Sequence, residues 1–416
     1  MRPSVDPLRL RPFQPTRQAE LAAAAGSWST LPYPMPAAES WAEPNDTAIV
    51  LPSGQVLIAF GEDGARNPLW NSAVLDPGSG QYSETFIRAT PRRLHALTDL
   101  GGGKVLVTGG VTGPVATPAR GTNEVFLYDD ADGGGAWREV APMHEPRFSH
   151  SATRLGDGSV LVAGGCAERS ADTDRAVRSA EIYNPATNTW TVVKEMTDIR
   201  FGHTAIALSA TKVLVVGGLI TIGRGQYAAL GYCEIFTAGA TPDKGTWAPT
   251  ASLSSPRKGH QATLLKDGSV LVTGGDMPTL SFTSTIEPYS QKSCERFRLD
   301  ANGVGAWQAD TDMPWGLSQH RAVLLKDSGK VLVIGGTDSS VFDMGYSDTI
   351  IYTPGPGGAA GVWAVTGSLE VGRWAMAAAA LPGDKVVVVG GIVRSGAAAP
   401  VIGENVLTTS VEVYTP

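Results

Sequence analysis

Short hydrophobic runs that end in a pair of glycines recur along the whole chain. Six pairs follow such runs, at Gly109-Gly110, Gly164-Gly165, Gly217-Gly218, Gly274-Gly275, Gly335-Gly336 and Gly390-Gly391. A degenerate copy, Val56 to Gly61, precedes them. Apolar runs of four or five residues bounded by glycine predict short buried strands. Seven copies of one strand-rich unit therefore predict a repeat fold.

The third copy shows the parts of this unit most clearly. Arg147 to Thr153 predicts a first strand, Asp157-Gly158 a hairpin turn, and Val160 to Ala163 a second strand. A strand from Glu181 and an outer strand that carries a tryptophan follow. The same tryptophan recurs in five copies, as Trp137, Trp190, Trp247, Trp307 and Trp363. One four-stranded sheet cannot bury both of its faces, so the units are expected to stack around an axis.

Glycine pairs in register with these tryptophans resemble the Kelch repeat, from about Trp28 to Pro416. The resemblance implies an all-β fold, a seven-bladed β-propeller of four-stranded antiparallel blades, related to the central domain of galactose oxidase. The last copy lacks its Trp strand, whereas Gly26 to Leu31 offers one near the N-terminus. We expect residues 28–31 to complete the seventh blade and close the ring. Residues 1–27 would form an extension outside a propeller of residues 28–416.

Composition narrows the partners that this fold could have. The chain is 42% hydrophobic and 18% charged, with a net charge of −7. A mildly acidic chain without a run of Lys and Arg disfavours nucleic-acid binding, and no apolar window is long enough to predict a membrane span. The first 26 residues lack a signal-peptide core, so a cytoplasmic location is expected. Three cysteines, without a C-x-x-C pair, predict neither a disulfide framework nor a zinc site.

Loop lengths indicate which face of the propeller carries a site. The first strand of each blade starts on the face to which the second strand returns, and the loops that follow the glycine pairs are long. They cover residues 166–179, 219–232, 276–293 and 392–410. Long loops on a rigid scaffold usually carry binding residues. We therefore expect a small-molecule ligand or a protein partner on this loop-rich face, at the mouth of the central channel.

An Arg-x-x-His element opens the first strand in four copies. Equivalent histidines in different blades lie around a ring and do not converge, so they are interpreted as packing residues. The arginines leave two interpretations open, anion binding at the channel mouth or hydrogen bonds that hold the blades. The candidate ligand-binding arginines are Arg92, Arg147, Arg200 and Arg257.

Departures from this element cluster in three copies. The sixth copy has Leu317 in the arginine place, and the seventh keeps Arg373 but has Met376 in the histidine place. The first has Glu43 and Asp46 in those two places. A closed ring makes these copies neighbours. The same sector holds further candidate binding residues, namely Trp41, Trp70, Trp315, Trp374, Glu62, Asp63 and Asp338.

Aromatic side chains beside carboxylates predict a pocket for a partly apolar, cationic ligand. The alternative is that the end copies drift because ring closure relaxes their constraints. Glu43, Asp46 and His144 are the candidate catalytic residues, His144 because it lies outside the repeated histidine position and next to Glu145.

Comparison with catalytic propellers predicts neither metal nor cofactor. The Tyr-His dipeptide typical of copper-radical oxidases is absent from the sequence. The iron-binding pattern of nitrile-specifier proteins is matched by Glu168 and Asp172, but Ala176 stands in the histidine place. Two functions remain. The first is a binding module for a ligand or a protein, and the alternative is a cytoplasmic bacterial enzyme without a metal, such as an isomerase or cyclase.

Overall fold

The computed structural model describes residues 25–41, 48–85, 90–113, 119–130, 133, 135–169, 174–223, 226–277, 290–338, 344–395, 398–401 and 404–416. Across these residues the regular structure is strand, apart from short 3₁₀ turns at Pro242–Lys244 and Pro356–Gly358. The all-β fold of four-stranded antiparallel blades that the repeats predict is confirmed.

The described residues form seven four-stranded antiparallel sheets, numbered here as blades 1 to 7 from the inside strand outwards. Blade 1 consists of β2 (Ala48–Val50), β3 (Val56–Ala59), β4 (Ser72–Leu75) and β5 (Tyr82–Glu84). Blade 2 consists of β6 (Ala96–Gly101), β7 (Lys104–Thr108), β9 (Val125–Asp129) and β10 (Ala136–Val140). Blade 3 consists of β11 (Ser151–Arg154), β12 (Val160–Ala163), β15 (Ala180–Asn184) and β16 (Thr189–Val193). Blade 4 consists of β17 (Thr204–Ala207), β18 (Lys212–Val216), β21 (Cys233–Thr237) and β22 (Thr246–Thr250).

The remaining blades have the same order of strands. Blade 5 consists of β23 (Gln261–Leu264), β24 (Val270–Thr273), β25 (Cys294–Leu299) and β26 (Gly305–Asp310). Blade 6 consists of β27 (Arg321–Leu324), β28 (Val331–Ile334), β29 (Thr349–Thr353) and β30 (Val362–Val365). Blade 7 consists of β31 (Ala377–Ala380), β32 (Val386–Val389), β35 (Val411–Thr415) and, on the outside, β1 (Ser27–Thr30).

The inner strands close into a ring. Each first strand contacts the first strand of the next blade, and β31 of blade 7 contacts β2 of blade 1. The N-terminal strand β1 pairs with β35, with Trp28 opposite Tyr414. Pairing of the two ends of the chain covers a sheet edge that would otherwise expose unpaired backbone groups.

Hydrophobic side chains between neighbouring blades form the core. The second strands, such as β12 and β18, are the most deeply buried, and each apolar cluster takes residues from two blades. A buried Val, Leu or Ile contributes roughly 1.5–3 kcal/mol. Outer-strand tryptophans complete the clusters: Trp190 packs on Tyr183 and donates its indole N–H to the Ala141 carbonyl at 2.7 Å.

The glycine pairs are required by the close approach of neighbouring blades. Gly109 and Gly110 have φ values of +59° and +103°. A Cβ on Gly109 would lie 2.2 Å from the carbonyl oxygen of Arg147 in the next blade. In the degenerate first copy, Phe60 adopts the same left-handed conformation, with φ of 58°, and its ring packs against His95.

Additional short strands lie in the long loops that follow the glycine pairs. They are β8 (Ala119–Arg120), β13 (Cys166–Arg169), β14 (Asp174–Ala176), β19 (Leu219–Gly223), β20 (Gln226–Ala229), β33 (Ile392–Arg394) and β34 (Val406–Leu407). β8, β13 and β14 form one sheet that joins the loops of blades 2 and 3. Where the structure describes them, loops of the loop-rich face therefore carry strand pairing of their own, whereas a tight turn at Asp157-Gly158 represents the opposite face.

Candidate functional site

The channel mouth on the loop-rich face is lined by residues that enter the first strands and by residues that follow the second strands. Seven backbone bridges, one per blade, join these two sets: Ser40 with Glu62, Arg93 with Val111, Phe148 with Cys166, Phe201 with Leu219, Lys258 with Asp276, Ser318 with Thr337, and Trp374 with Ile392. We call these fourteen residues the mouth ring.

Two ion pairs make part of the mouth ring polar. Arg93 of blade 2 lies 3.2 Å from the Glu62 carboxylate of blade 1, which links the two blades. Burial raises the pKa of Glu62, and the charge of Arg93 opposes that rise. In blade 5, Lys258 lies 2.8 Å from Asp276, which also accepts a hydrogen bond from the Ser318 hydroxyl at 2.8 Å. Charges at these positions are neutralised within the ring.

Blades 3 and 4 make another part of the mouth ring apolar. Phe148 and Cys166 pack with Val111 in a small cluster of their own. Phe201 meets Tyr227 edge-to-face, with ring centroids 5.8 Å apart. These apolar side chains, Val111, Phe148, Cys166 and Phe201, are at most 4% exposed, so they pack inside the propeller and do not offer a contact surface. The partly exposed charged residues Arg93 and Lys258 form what we call the polar arc of the mouth ring.

The repeated arginines lie inside the blades. Arg92, Arg147, Arg200, Arg257 and Arg373 have no exposed surface. Arg147 donates to the Gly164 carbonyl at 2.8 Å and pairs with Glu181 at 3.0 Å. The other pairs are Arg92 with Glu124, Arg200 with Glu234, Arg257 with Glu295 and Arg373 with Glu412. This geometry favours the structural interpretation of these arginines over a ring of anion-binding groups, because each guanidinium is buried and already paired with a carboxylate of its own blade.

In blades 3, 4, 5 and 7 the glutamate of the pair has a second role. Glu181 accepts hydrogen bonds from the backbone N–H groups of His144 and Glu145, which follow Met143 at the end of the preceding blade. Glu412 accepts equivalent bonds from Glu370 and Val371 in blade 7. One buried ion pair thus also fixes the connection between two blades.

Blade 6 replaces the whole arrangement with apolar residues. Leu317 stands in the arginine place and Ile350 in the glutamate place, since Ile350 is opposite Val333 as Glu181 is opposite Val162. Pro314 follows Met313, where blades 3, 4, 5 and 7 have a backbone donor. Loss of the acceptor is therefore matched by loss of the first of the two backbone donors that it serves in blade 3.

Blade 1 changes the same places differently, and corrects one prediction. Gly391 donates to the Glu39 carbonyl at 2.8 Å, as Gly110 donates to that of Arg147 at 2.9 Å. Glu39, and not Glu43, therefore stands in the arginine place. Only the assignment of Glu43 to the arginine place was wrong, because blade 1 has four extra residues between Trp41 and Ala48. Glu43 and Asp46 themselves lie outside the described residues.

The glutamate partner is missing from blade 1. Ala73 stands in its place, opposite Ile58, and Pro36 follows Met35 as Pro314 follows Met313. Glu39 is only 3% exposed. Burial raises the pKa of the Glu39 carboxyl to about 8, although a hydrogen bond from Asn71 opposes the rise. Sequence reasoning missed this residue; the Met-Pro dipeptide shared with blade 6 is the signal that could have revealed it.

A cavity of about 150 Å³ opens beside Glu39. We call it the blade-1 pocket. Its lining consists of Met35, Pro36, Ala37, Glu39, Ile58, Trp70, Asn71, Ser72, Ala73, Glu84 and Thr85. Trp70, 57% exposed, stands at its rim together with the exposed carboxylate of Glu84. None of the described residues that line the pocket is basic.

The four tryptophans predicted to share one pocket are distributed over different places. Trp70 lines the blade-1 pocket, whereas Trp41 is buried in the core between blades 7 and 1. Trp315 packs against the cluster of blades 5 and 6. Trp374 belongs to the mouth ring, bridged to Ile392.

The remaining candidates have separate local partners. Asp63 accepts hydrogen bonds from the backbone and side chain of Asn67 at 2.8 and 3.0 Å. Asp338 is exposed, and burial together with a hydrogen bond to Asp338 raises the pKa of Tyr346. His144 is exposed on the surface and contacts Glu181 at 2.7 Å through Nδ1, whereas its sequence neighbour Glu145 bonds to Ser179. These residues do not join Glu39 in the blade-1 pocket.

The repeated histidines connect blades. His260 contacts the Thr204 hydroxyl of blade 4 at 2.9 Å, and His320 contacts Thr273 of blade 5 at 2.8 Å. Burial lowers the pKa of both rings to about 3, so they are neutral near pH 7. Within the described parts of the chain, no group of three His, Cys, Asp or Glu side chains is placed to hold a metal ion. The same residues contain no helix that is long and apolar enough to cross a membrane.

Comparisons with known proteins agree with the repeats. Residues 147–197 match the family model of the Kelch motif. Adagio-like protein 3 from Oryza sativa subsp. japonica is 27% identical over 68% of this chain and 45% of its own length. Kelch-like protein 25 from Xenopus tropicalis is 26% identical over 56% of this chain and 35% of its own length. The chain spans less than half the length of these curated relatives.

Solved structures share the fold. A copper complex titled as a novel fungal alcohol oxidase of the AA5 family superimposes with a TM-score of 0.67, at 17% identity, over 94% of this chain and 76% of that one. The structure of YjhT superimposes with a TM-score of 0.56, at 14% identity, over 80% and 98% of the two chains. Together with the seven blades of this structure, the matched motif and the curated relatives show a β-propeller that carries the Kelch motif.

Proposed function

We propose that this propeller binds a partner protein through its loop-rich face. The proposal rests on the location of the exposed large apolar side chains, most of which lie on this face. Of the ten such side chains found among the described residues, seven lie in loops of this face: Tyr33, Trp70, Ile222, Tyr232, Met277, Met344 and Val401. Five of these seven side chains are aromatic or methionine, the residue types that are enriched at protein interfaces.

The scaffold beneath these side chains supports the proposal. Ile222 projects from the β19–β20 hairpin, and Tyr232 follows that hairpin directly. Tyr232 is held at its backbone, because its carbonyl accepts a hydrogen bond from buried Arg200 at 2.8 Å. A side chain that is fixed at its root and exposed at its tip loses little conformational entropy when a partner covers it. The mouth ring supplies the polar arc beside these apolar contacts.

The test compares the two faces of the propeller. Tyr232→Ser with Met277→Ser removes two apolar contacts from the loop-rich face, and Val304→Ser with Val362→Ser is the matched control near the opposite end of the blades. The partner is first identified by crosslinking through a photoreactive residue at position 232 in the native host. Its dissociation constant is then measured with purified proteins.

We expect the first double variant to weaken binding at least tenfold and the control to leave it unchanged. Equal effects from both double variants, with both proteins folded, would contradict the choice of face. No observation on the described residues favours the metal-free enzyme that the sequence left as the alternative.

A further inference from the structure

We propose that the blade-1 pocket is a binding site for an alkylguanidinium group, held by the carboxylate of Glu39. This inference goes beyond the proposed partner surface, since it concerns a separate pocket and a defined ligand chemistry. The pocket lies at the place that an ion pair or apolar side chains occupy in the other blades.

Blades 2, 3, 4, 5 and 7 fill this place with a buried arginine and its carboxylate partner. Blade 6 fills it with Leu317 and Ile350, so the space can be closed without any charge. Blade 1 keeps one half of the ion pair with its sign reversed: Glu39 takes the arginine place, and Ala73 takes the glutamate place. The missing half is therefore a cation.

The space that remains fits such a cation. The cavity measures about 150 Å³, and an apolar cavity of that volume holds benzene, a molecule of about six heavy atoms. N-ethylguanidinium also has six heavy atoms. The walls offer apolar contacts from Met35 and Ile58 for an alkyl stem, and Glu39 for the planar charged head. Guanidinium is the cation best suited to such a site because it is planar and weakly hydrated.

The rim of the pocket favours a cation as well. Glu84 adds a second carboxylate, and the exposed indole of Trp70 offers an aromatic face for a cation–π contact. Tyr82, which is not part of the pocket lining, has a buried hydroxyl that makes no hydrogen bond among the described residues. Burial and the charge of Glu39 raise the pKa of Tyr82, which places its hydroxyl near that carboxylate.

Titration calorimetry with N-ethylguanidinium chloride tests the site, in phosphate and borate buffers that contain no competing amine. Burial holds the pKa of empty Glu39 at about 8, so binding of the cation must ionise the carboxyl. We expect close to one proton to be released per bound ligand at pH 6.5. The affinity should rise about tenfold per pH unit below pH 8 and level off above it.

Three variants separate the site from general effects. Glu39→Gln should abolish binding, whereas Glu195→Gln, an exposed carboxylate of blade 3, should leave it unchanged. The double variant Glu39→Arg with Ala73→Glu rebuilds the ion pair of the other blades, so it should fold and lose binding. N-ethylurea, the neutral isostere, should not bind the wild type. Binding that survives Glu39→Gln, or no binding at millimolar ligand, would overturn the proposal.

A second arm identifies the source of the guanidinium. Acetyl-Gly-Arg-Gly-amide is compared with N-ethylguanidinium on the same protein. Tighter binding of the peptide would assign the site to an arginine of a partner chain, and tighter binding of the small cation would assign it to a free ligand. Loss of partner-protein binding in the Tyr232→Ser, Met277→Ser variant tests only the partner surface, whereas the titrations with N-ethylguanidinium test only the blade-1 pocket. Failure of one proposal can therefore be distinguished from failure of the other.

Discussion

Glu39 makes the stability of the protein depend on pH in a direction that is unusual for a carboxyl group. Its folded-state pKa, about 8, lies above the ordinary value of 4.5 because burial disfavours the charged form. The folded state therefore binds a proton more tightly than the unfolded state. The stability that this proton contributes is complete below pH 4.5 and is lost as the pH rises to about 8.

The magnitude follows from that interval. A pKa difference of about 3.5 units at about 1.4 kcal/mol per unit gives a loss of up to about 5 kcal/mol between pH 4.5 and pH 8. Glu39→Gln keeps the shape of the side chain and removes the titration. The free energy of unfolding of the variant, relative to that of the wild type, should therefore rise by up to about 1.4 kcal/mol per pH unit across this range. Above pH 8 this difference should stay constant.

Urea unfolding at pH 5, 6, 7, 8 and 9 measures this difference, and urea is required because guanidinium is the proposed ligand of the pocket. The difference between variant and wild type removes the contribution of all other titrating groups that the two proteins share. Glu84→Gln, at the exposed rim of the same pocket, is the control and should show no such slope. A difference between Glu39→Gln and wild type that stays constant with pH would refute the buried, proton-bound carboxyl.

Three further changes test the scaffold. Glu295→Leu leaves the buried guanidinium of Arg257 without its carboxylate and should cost roughly 3–5 kcal/mol in urea unfolding. Adding Arg257→Leu should recover only part of that loss, because the Ser254 N–H that donates to Glu295 stays without its acceptor. His260 has a folded pKa of about 3, below its unfolded value of 6.5, so the stability that it contributes is complete above pH 6.5 and is lost as the pH falls. His260→Gln should reduce the fall of the unfolding free energy with decreasing pH by up to about 1.4 kcal/mol per pH unit. An unchanged slope would contradict the burial of His260 as a neutral ring. Deletion of residues 1–31 removes β1 and exposes the edge of β35, so it should lower the melting temperature and promote aggregation in light scattering.

The scaffold was predictable because each of its parts depends on a local rule. The glycine pairs recur because a Cβ there would collide with the next blade, so the sequence must repeat them wherever blades meet. The turn at Asp157-Gly158 is fixed by the positive φ of its glycine. The closing strand was visible because Trp28 supplies the one outer-strand tryptophan that the last copy lacks, and it pairs with Tyr414 as Trp190 pairs with Tyr183.

The contents of the blade interiors were harder to predict because they depend on pairs of residues far apart in the chain. The sequence shows Arg147 repeated but does not show that Glu181, in the third strand, encloses it. Four extra residues before Ala48 shift the count in blade 1, so Glu43 took the place in the prediction that Glu39 holds in the fold.

The proline that follows methionine in blades 1 and 6 explains why the interiors of these two blades differ from the others. A glutamate in the third strand is needed only where backbone N–H groups of the connection between blades require a hydrogen-bond acceptor, as the N–H of His144 does in blade 3. Pro36 and Pro314 lack that donor, so each of these two blades can dispense with the glutamate without leaving an N–H unsatisfied at that residue. Blade 6 then closes the space with Leu317 and Ile350. Blade 1 instead places the small side chain of Ala73 opposite the buried acid Glu39. Random drift of an end copy would more readily produce the apolar filling of blade 6, which is compatible with the fold. The arrangement in blade 1 therefore favours a site that is kept open for a ligand.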